Sequence, residues 1–133
     1  MPATAYLANL IAVASKGGAA YQGPATIYLE LCSDTPTATV AGTPIIYTNY
    51  VRKSYTQSDW ASDGAGQLSN TSPVSFADPG GGEDTAVSVE AWTAGGAGAG
   101  TRLWYEELND ALDIVDDTPS VLFAAGALTW TVI

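Results

Sequence analysis

The chain closes with the stretch Val121-Leu122-Phe123-Ala124-Ala125-Gly126-Ala127-Leu128-Thr129-Trp130-Thr131-Val132-Ile133, whose pattern decides the fold class. Two apolar segments meet here at an Ala-Ala-Gly-Ala step. In the second segment Leu128, Trp130 and Val132 alternate with two threonines, which is the period of a strand with one buried face. We therefore expect the chain to end in strands that belong to a sheet.

Short strand patterns of this kind recur upstream. Residues 26–32 alternate strictly, which predicts Ile27, Leu29 and Leu31 in the core and Tyr28, Glu30 and Cys32 on the other face. In residues 86–92 the same rule predicts three inward side chains, those of Val87, Val89 and Ala91. Further strand patterns cover residues 45–55, as one strand or a bent pair, and 67–68, 73–76 and 101–106.

The connections between these patterns are rich in turn residues. The glycine-rich run 94–100 predicts a hairpin with a long tip between strands 86–92 and 101–106. We read residues 59–66 and 78–83 as loops, and 108–114 as a strand end plus loop. For the last of these a helical turn is the alternative, lined by Leu108, Leu112 and Val115.

The N-terminal region has a different period. Residues 3–14 carry apolar side chains at helical spacing, which predicts a short helix capped near Thr4 and ended at Gly17-Gly18. It is too short to span a bilayer and lacks a basic segment before the apolar run, so we expect neither a membrane span nor a signal peptide. The expected organisation is one domain, with a helix and linker at 1–20 and a β-sandwich at 21–133.

About seven or eight short strands and one helix indicate an all-β fold, a sandwich or a barrel. The charges are few and one-sided, with four basic residues against fourteen acids and a formal net charge of -10. Such a surface repels phosphate, so nucleic acid is a poor candidate partner, whereas a basic protein surface suits it.

Residue types that carry catalysis or bind metals are scarce. The sequence has no histidine, which removes the commonest general base and neutral metal ligand, and no Gly-x-Ser-x-Gly elbow. Cys32 is the only cysteine, and its place in a strand pattern predicts a buried small hydrophobe. Paired carboxylates for glycoside hydrolysis remain conceivable with so many acids, since sequence spacing cannot test their separation.

Three other patterns invite functional interpretations. The glycine run 94–100 lacks the lysine and the following helix of a phosphate loop, so a hairpin tip is preferred. The acids of residues 106–117 lack EF-hand spacing, so we expect a solvated acidic edge, with calcium binding as the alternative. Trp60, Trp92 and Trp104 are expected in the core or at interfaces, with a sugar-stacking platform as the alternative.

Four segments in order along the chain resemble a family of small tailed-phage virion proteins, often labelled tail-fibre-like and including capsid-decorating members. They are Ile27-Tyr28-Leu29-Glu30-Leu31 before Asp34-Thr35-Pro36-Thr37; Asn49-Tyr50-Val51-Arg52; Asn70-Thr71 before Val74-Ser75-Phe76; and Phe123-Ala124-Ala125-Gly126-Ala127-Leu128-Thr129-Trp130-Thr131-Val132. Two steps depart from the family pattern. Asn49-Tyr50-Val51-Arg52 replaces a Gly-Tyr-Ala-Arg step, and Asp84-Thr85-Ala86-Val87 replaces a threonine- and histidine-containing one.

The resemblance implies a jelly-roll-like antiparallel β-sandwich displayed on a virion, without catalytic residues; we expect no enzyme, cofactor or metal. Our leading hypothesis is a capsid decoration or cement protein on the capsid exterior, whose partners are the major capsid protein and itself as a dimer or trimer. We expect neither nucleic acid nor a membrane as partner. The alternatives are a tail or tail-fibre structural protein and, from another class, a carbohydrate-binding module.

Overall fold

The computed structural model describes residues 3–15, 17, 24–47, 50–65, 67–76, 84–115 and 122–131. Within them the chain forms α1 (Ala5–Ser15), β1 (Thr26–Cys32), β2 (Lys53–Thr56), a 3-10 turn (Gln57–Asp59), β3 (Trp60–Ser62), β4 (Gln67–Asn70), β5 (Val74–Ser75), β6 (Asp84–Trp92), β7 (Arg102–Ile114), β8 (Leu122–Phe123) and β9 (Thr129–Thr131).

The strands form antiparallel sheets. The largest has the order β2-β1-β6-β7, a second has the order β3-β4-β9, and β5 pairs with β8. The first strand, β1, pairs with β6, which lies far from it in the sequence. The all-β sandwich with a short N-terminal helix, predicted from the strand periodicity and the resemblance, is confirmed.

The apolar core lies on one face of the large sheet. Ile27, Leu29 and Leu31 of β1 are buried there as predicted. The remaining core side chains come from the other strands of this sheet, from the helix, from the smaller sheets and from loops, among them Leu7, Ile45, Tyr47, Tyr55, Val74, Phe76, Val89, Ala91, Leu103, Ile114 and Leu128. Each fully buried large apolar side chain stabilises the fold by about 1.5–3 kcal/mol, so this cluster dominates the packing energy.

Helix α1 begins and ends where the sequence predicted. Thr4 Oγ1 accepts a hydrogen bond from Leu7 N at 3.3 Å, which caps the first turn, and Gly17 has a φ of +83°. Thr4 N donates to Leu103 O at 2.8 Å and fastens the helix to β7, while Leu7 enters the core. No helix in the described part of the chain is long and apolar enough to cross a membrane.

The pairing of β6 with β7 contains an irregularity that changes which side chains face inward. Ala86 pairs with Leu112 but Ser88 pairs with Glu107, so residues 108–111 lie opposite Val87 alone. Ala86 is therefore fully buried and Val87 is not, which makes the prediction of an inward Val87 wrong. The alternation of apolar and polar residues in one strand cannot predict a bulge in its partner strand.

Three predicted boundaries also change. The interpretation of 108–114 as strand end plus loop is wrong, because β7 continues to the buried Ile114. The strand or bent pair of strands expected over 45–55 is reduced to β2, because residues 45–47 and 50–52 do not form a strand. Part of the predicted loop 59–66 is strand β3, which forms a hairpin with β4.

The closing stretch forms two short strands on either side of a turn, as its pattern predicted. β8 pairs with β5 and β9 pairs with β4. Gly126 has a φ of +79° in the intervening turn, a conformation that glycine adopts without steric cost. Leu128 is buried as expected, with 7% of its surface exposed, whereas Val132 and the loop 78–83 lie outside the described residues.

Candidate functional site

The face of the large sheet opposite the apolar core carries two glutamates at neighbouring positions. Glu30 of β1 pairs directly with Glu90 of β6, and only 2% and 0% of their surfaces are exposed. Alternation predicted correctly that Glu30 and Cys32 point away from the core, but not that this second face is also closed. A sheet with one solvated face would leave both carboxylates in water, so their burial requires counterions.

Arg52 supplies the first counterion. Its Nε lies 2.8 Å from Glu30 Oε2 and its Nη2 lies 3.3 Å from Glu30 Oε1, which is the two-pronged geometry that suits a guanidinium and a carboxylate. The guanidinium carbon also lies 4.2 Å from the ring centroid of Trp92, so the side chain is sandwiched between a charge and an aromatic face.

The same arginine holds the glycine-rich hairpin tip. Arg52 Nη1 donates to the carbonyl oxygens of Ala94 and Ala99, both at 2.8 Å. At Gly95 a Cβ atom would come within 2.8 Å of the Tyr28 ring, so the backbone lies against that ring. The predicted hairpin is confirmed and a strand, not a helix, follows it. Its tip is exposed but fastened at both ends.

Arg102 supplies the second counterion. Its Nη1 lies 3.3 Å from Glu90 Oε1, and its Nη2 donates to Thr37 O. Glu90 also accepts hydrogen bonds from Gly42 N at 2.5 Å and from Trp92 Nε1 at 3.0 Å. The loop 33–43 is thereby drawn over the second face of the sheet.

The two pairs form a neutral cluster, which we call the buried ion network: Glu30, Arg52, Glu90 and Arg102. Burial raises the pKa of the Glu90 carboxyl, and the Gly42 amide and the Arg102 guanidinium partly oppose that rise. The network uses two of the four basic residues in the sequence. Each charged group of the network is paired with a partner, so the contacts observed here hold strands and loops together.

Cys32 lies beside the network. Ligand atoms of Glu30, Cys32 and Glu90 lie within 4.8 Å of one another, the one such group of three within the described residues. Burial, followed by the charges of both glutamates, raises the pKa of the thiol, so it stays protonated. Both carboxylates are already paired with arginines, so a cation at this position would have to displace Arg52 and Arg102. The prediction of a buried cysteine is confirmed.

The three tryptophans weighed as a sugar platform do not share a surface. Trp104 pairs with Ala91 and packs against the core. Trp60 also packs against the core, and its ring meets the Tyr55 ring edge-to-face with the centroids 6.2 Å apart. Trp92 points to the opposite face, above Arg52. The geometry therefore gives no stacking platform built from all three.

The acidic residues 106–113 lie on β7, at the edge of the large sheet. Glu107 accepts a hydrogen bond from Thr35 Oγ1 at 2.8 Å, and Asp113 accepts one from Thr85 Oγ1 at 2.9 Å. Glu107, Asp110 and Asp113 are exposed, which confirms an acidic edge in this part of the chain. Asp116 and Asp117 lie outside the described residues, and among 106–113 no three carboxylates converge as calcium would require.

Asn70 organises the turn between β8 and β9. Its Nδ2 donates to Ser72 O and Ala124 O, both at 2.9 Å, and its Oδ1 accepts from Leu128 N at 3.0 Å. Its backbone carbonyl accepts from Gly126 N at 2.7 Å. One buried amide therefore satisfies the polar groups of a turn that is distant in sequence.

Sequence reasoning missed the roles of Arg52, Arg102, Glu90 and Asn70. A usable signal existed: Glu30 and Glu90 each stand between apolar residues of a strand pattern in a chain with four basic residues, so each needs a specific counterion if it is buried. Asn70 and Arg52 both fall within segments that carry the family resemblance. Their structural contacts give a physical reason for those residue types.

The fold and the buried ion network define a small β-sandwich protein in which two buried arginines hold the hairpin tip and the loop 33–43. A search of curated proteins gave no match. The model of a phage protein family, described as Podophage GP4 fiber I protein gp80, matches residues 2–131. The chain belongs to this family, which confirms the predicted relationship to tailed-phage virion proteins and makes it a phage virion structural protein.

Proposed function

We propose that the protein is a structural component of the phage tail, associated with its fibres. The observation that carries this proposal is the family match over residues 2–131, whose description names a fibre protein. This reverses the order of our two sequence-based hypotheses, in which capsid decoration came first. A family of fibre proteins also favours a role without catalysis, and the paired charges of the buried network are in keeping with it.

The geometry supports a role as a rigid connector. Arg52 fastens the hairpin tip and Arg102 fastens the loop 33–43, so two exposed loops are held in fixed positions on one sheet. Pre-ordered loops lose less conformational entropy when a partner binds. Large apolar side chains remain exposed on the surface, namely Tyr6, Val40, Ile46, Val51 and Val115.

Self-association as a dimer or trimer remains part of the proposal. Several copies in a symmetric arrangement would turn small contacts of this kind into a stable attachment. The exposed side chains of Ile46 and Val51 are candidate contacts, because they lie close together in the sequence and are 76% and 63% exposed.

Cryo-electron microscopy of intact particles tests the location. We expect density that fits the four-stranded sheet at the tail, in several symmetric copies. Density on the capsid faces, with none at the tail, would overturn the proposal and restore the decoration hypothesis, whose partner would be the major capsid protein.

A further inference from the structure

A groove of about 420 Å³ lies between the far half of β7 and the turn before β9. Its apolar lining comes mainly from Leu108, Leu112, Phe123 and Leu128. Three carboxylates also line it, those of Glu106, Glu107 and Asp110. Binding clefts in proteins have volumes of ≈ 300–1,000 Å³, so the groove is large enough to accept side chains of another molecule.

The groove runs beside the edge of a sheet. β7 is the last strand of the order β2-β1-β6-β7. The N-terminal segment covers the beginning of this edge, where Ala3 forms a bridge with Trp104. Over residues 107–113 no strand of the described chain pairs with the outer side of β7. Residues 108–111 bulge opposite Val87, so this edge offers exposed backbone and side chains beside the groove and no regular ladder for a further strand.

Charge selects the occupant of this groove. Between Glu106 and Asp113 the edge carries four acids and no basic residue. A second copy of the chain would bring the same acids and a net charge of -10. Lysine or arginine on an incoming segment would pair with the exposed carboxylate of Glu107 or Asp110, while its apolar side chains would enter the apolar lining of the groove.

We propose that this groove binds an extended segment of a second virion protein that carries both basic and apolar side chains, which lies along residues 107–113 of β7. The proposal rests on the proposed function for its partner, a neighbouring virion protein. The groove, the edge and the charge are properties of the isolated chain. Any self-association of the protein then uses a different surface.

Nuclear magnetic resonance titration of the purified protein tests the proposal with defined probes. The first probe is a synthetic peptide of about ten residues that alternates lysine and valine, a typical strand length. The second alternates lysine and serine, and the third glutamate and valine. We expect backbone amide signals of residues 107–113 to shift with the first probe, and signals of the opposite edge strand, β2, to stay.

Two variants separate specific docking from general attraction between opposite charges. Asp110→Lys reverses one charge beside the groove and should weaken binding of the lysine–valine peptide roughly five- to tenfold. The matched control is Ala61→Lys with Ala65→Lys, two exposed positions of the β3–β4 hairpin that add the same charge. It should change the affinity less than about twofold.

Equal binding of the lysine–serine peptide, or equal weakening by both variants, would overturn the proposal, because either result means non-specific attraction. Shifts confined to β2, tighter binding of the acidic peptide, or self-association through residues 107–113 would overturn it as well. Calcium alone shifting the same amides and displacing the lysine–valine peptide would also overturn it in favour of a cation site. All these readouts are independent of where the protein lies in the particle, so they fail separately from the tail proposal.

Discussion

Arg52 contacts three separate parts of the molecule with one guanidinium group. It pairs with Glu30, lies over the ring of Trp92, and donates two hydrogen bonds to the carbonyl oxygens of Ala94 and Ala99 in the hairpin tip. Lysine has neither the planar fork nor enough donors in fixed directions to reproduce this set. The residue therefore couples a buried charge to the order of an exposed loop.

We expect Arg52→Met to lower the free energy of unfolding by about 3–5 kcal/mol, because Glu30 is left buried without a counterion. Urea denaturation at neutral pH measures the loss. The control is the double variant Arg52→Met with Glu30→Leu, which removes both charges and should recover most of the stability. Hydrogen exchange at residues 94–100 should be fast in both variants, since both lose the carbonyl bonds. A loss below about 1 kcal/mol in the single variant would show that the pair is not buried as described.

Among the strands, sequence periodicity predicted those whose alternation is unbroken, and failed where pairing is irregular. β1 follows its pattern because one side of it meets the apolar core, and Leu128 before β9 is buried as its pattern predicted. Val87 was misplaced because a bulge in β7 changes the register beside it. The buried ion network was missed because it depends on Arg52 and Arg102 reaching glutamates of other strands, which no local period reveals.

The turn between β8 and β9 depends on a distant amide in β4, so we expect Asn70→Asp to weaken it. The new carboxylate would face the carbonyls of Ser72 and Ala124, to which the amide now donates. The expected cost at neutral pH is at least about 2 kcal/mol in urea denaturation. Repulsion from the carbonyls raises the folded-state pKa of this carboxyl, so protonation restores a donor and the cost should shrink as the pH falls.

The control for this substitution is Ser72→Asp, which adds the same charge at an exposed neighbour and should change stability by less than about 0.5 kcal/mol. If Asn70→Asp and Ser72→Asp cost the same at every pH, the amide does not organise the turn.

The two buried glutamates of the described residues are matched by two arginines, so the net charge of -10 comes from the other charged residues of the chain. Surface acids that also accept hydrogen bonds stabilise turns: Asp34 accepts from Thr43 N and Oγ1 at 2.6 and 2.7 Å, and Asp63 accepts from Ala65 N and Gln67 N at 2.7 and 3.0 Å. Acidification therefore acts on folding through particular carboxylates, beside its general relief of charge repulsion.

Hydrogen bonds from Thr43 lower the pKa of the Asp34 carboxyl below its usual value of 3.8. A carboxyl whose pKa is lower in the folded than in the unfolded protein stabilises the fold above the unfolded value, and that contribution disappears as the pH falls through the folded value. We expect Asp34→Asn to lower the urea midpoint at pH 7, and the difference from the unsubstituted protein should shrink as the pH falls through the lowered pKa of the Asp34 carboxyl. Burial raises the pKa of Glu90, so the effect of this carboxyl on the pH dependence of stability has the opposite sign. That effect is the same in both proteins and cancels in the difference between their stabilities. Urea denaturation of both proteins between pH ~2.5 and ~7 measures that difference. A difference that stays constant over this range would mean that the Asp34 charge does not contribute to closing the loop 33–43 over the sheet.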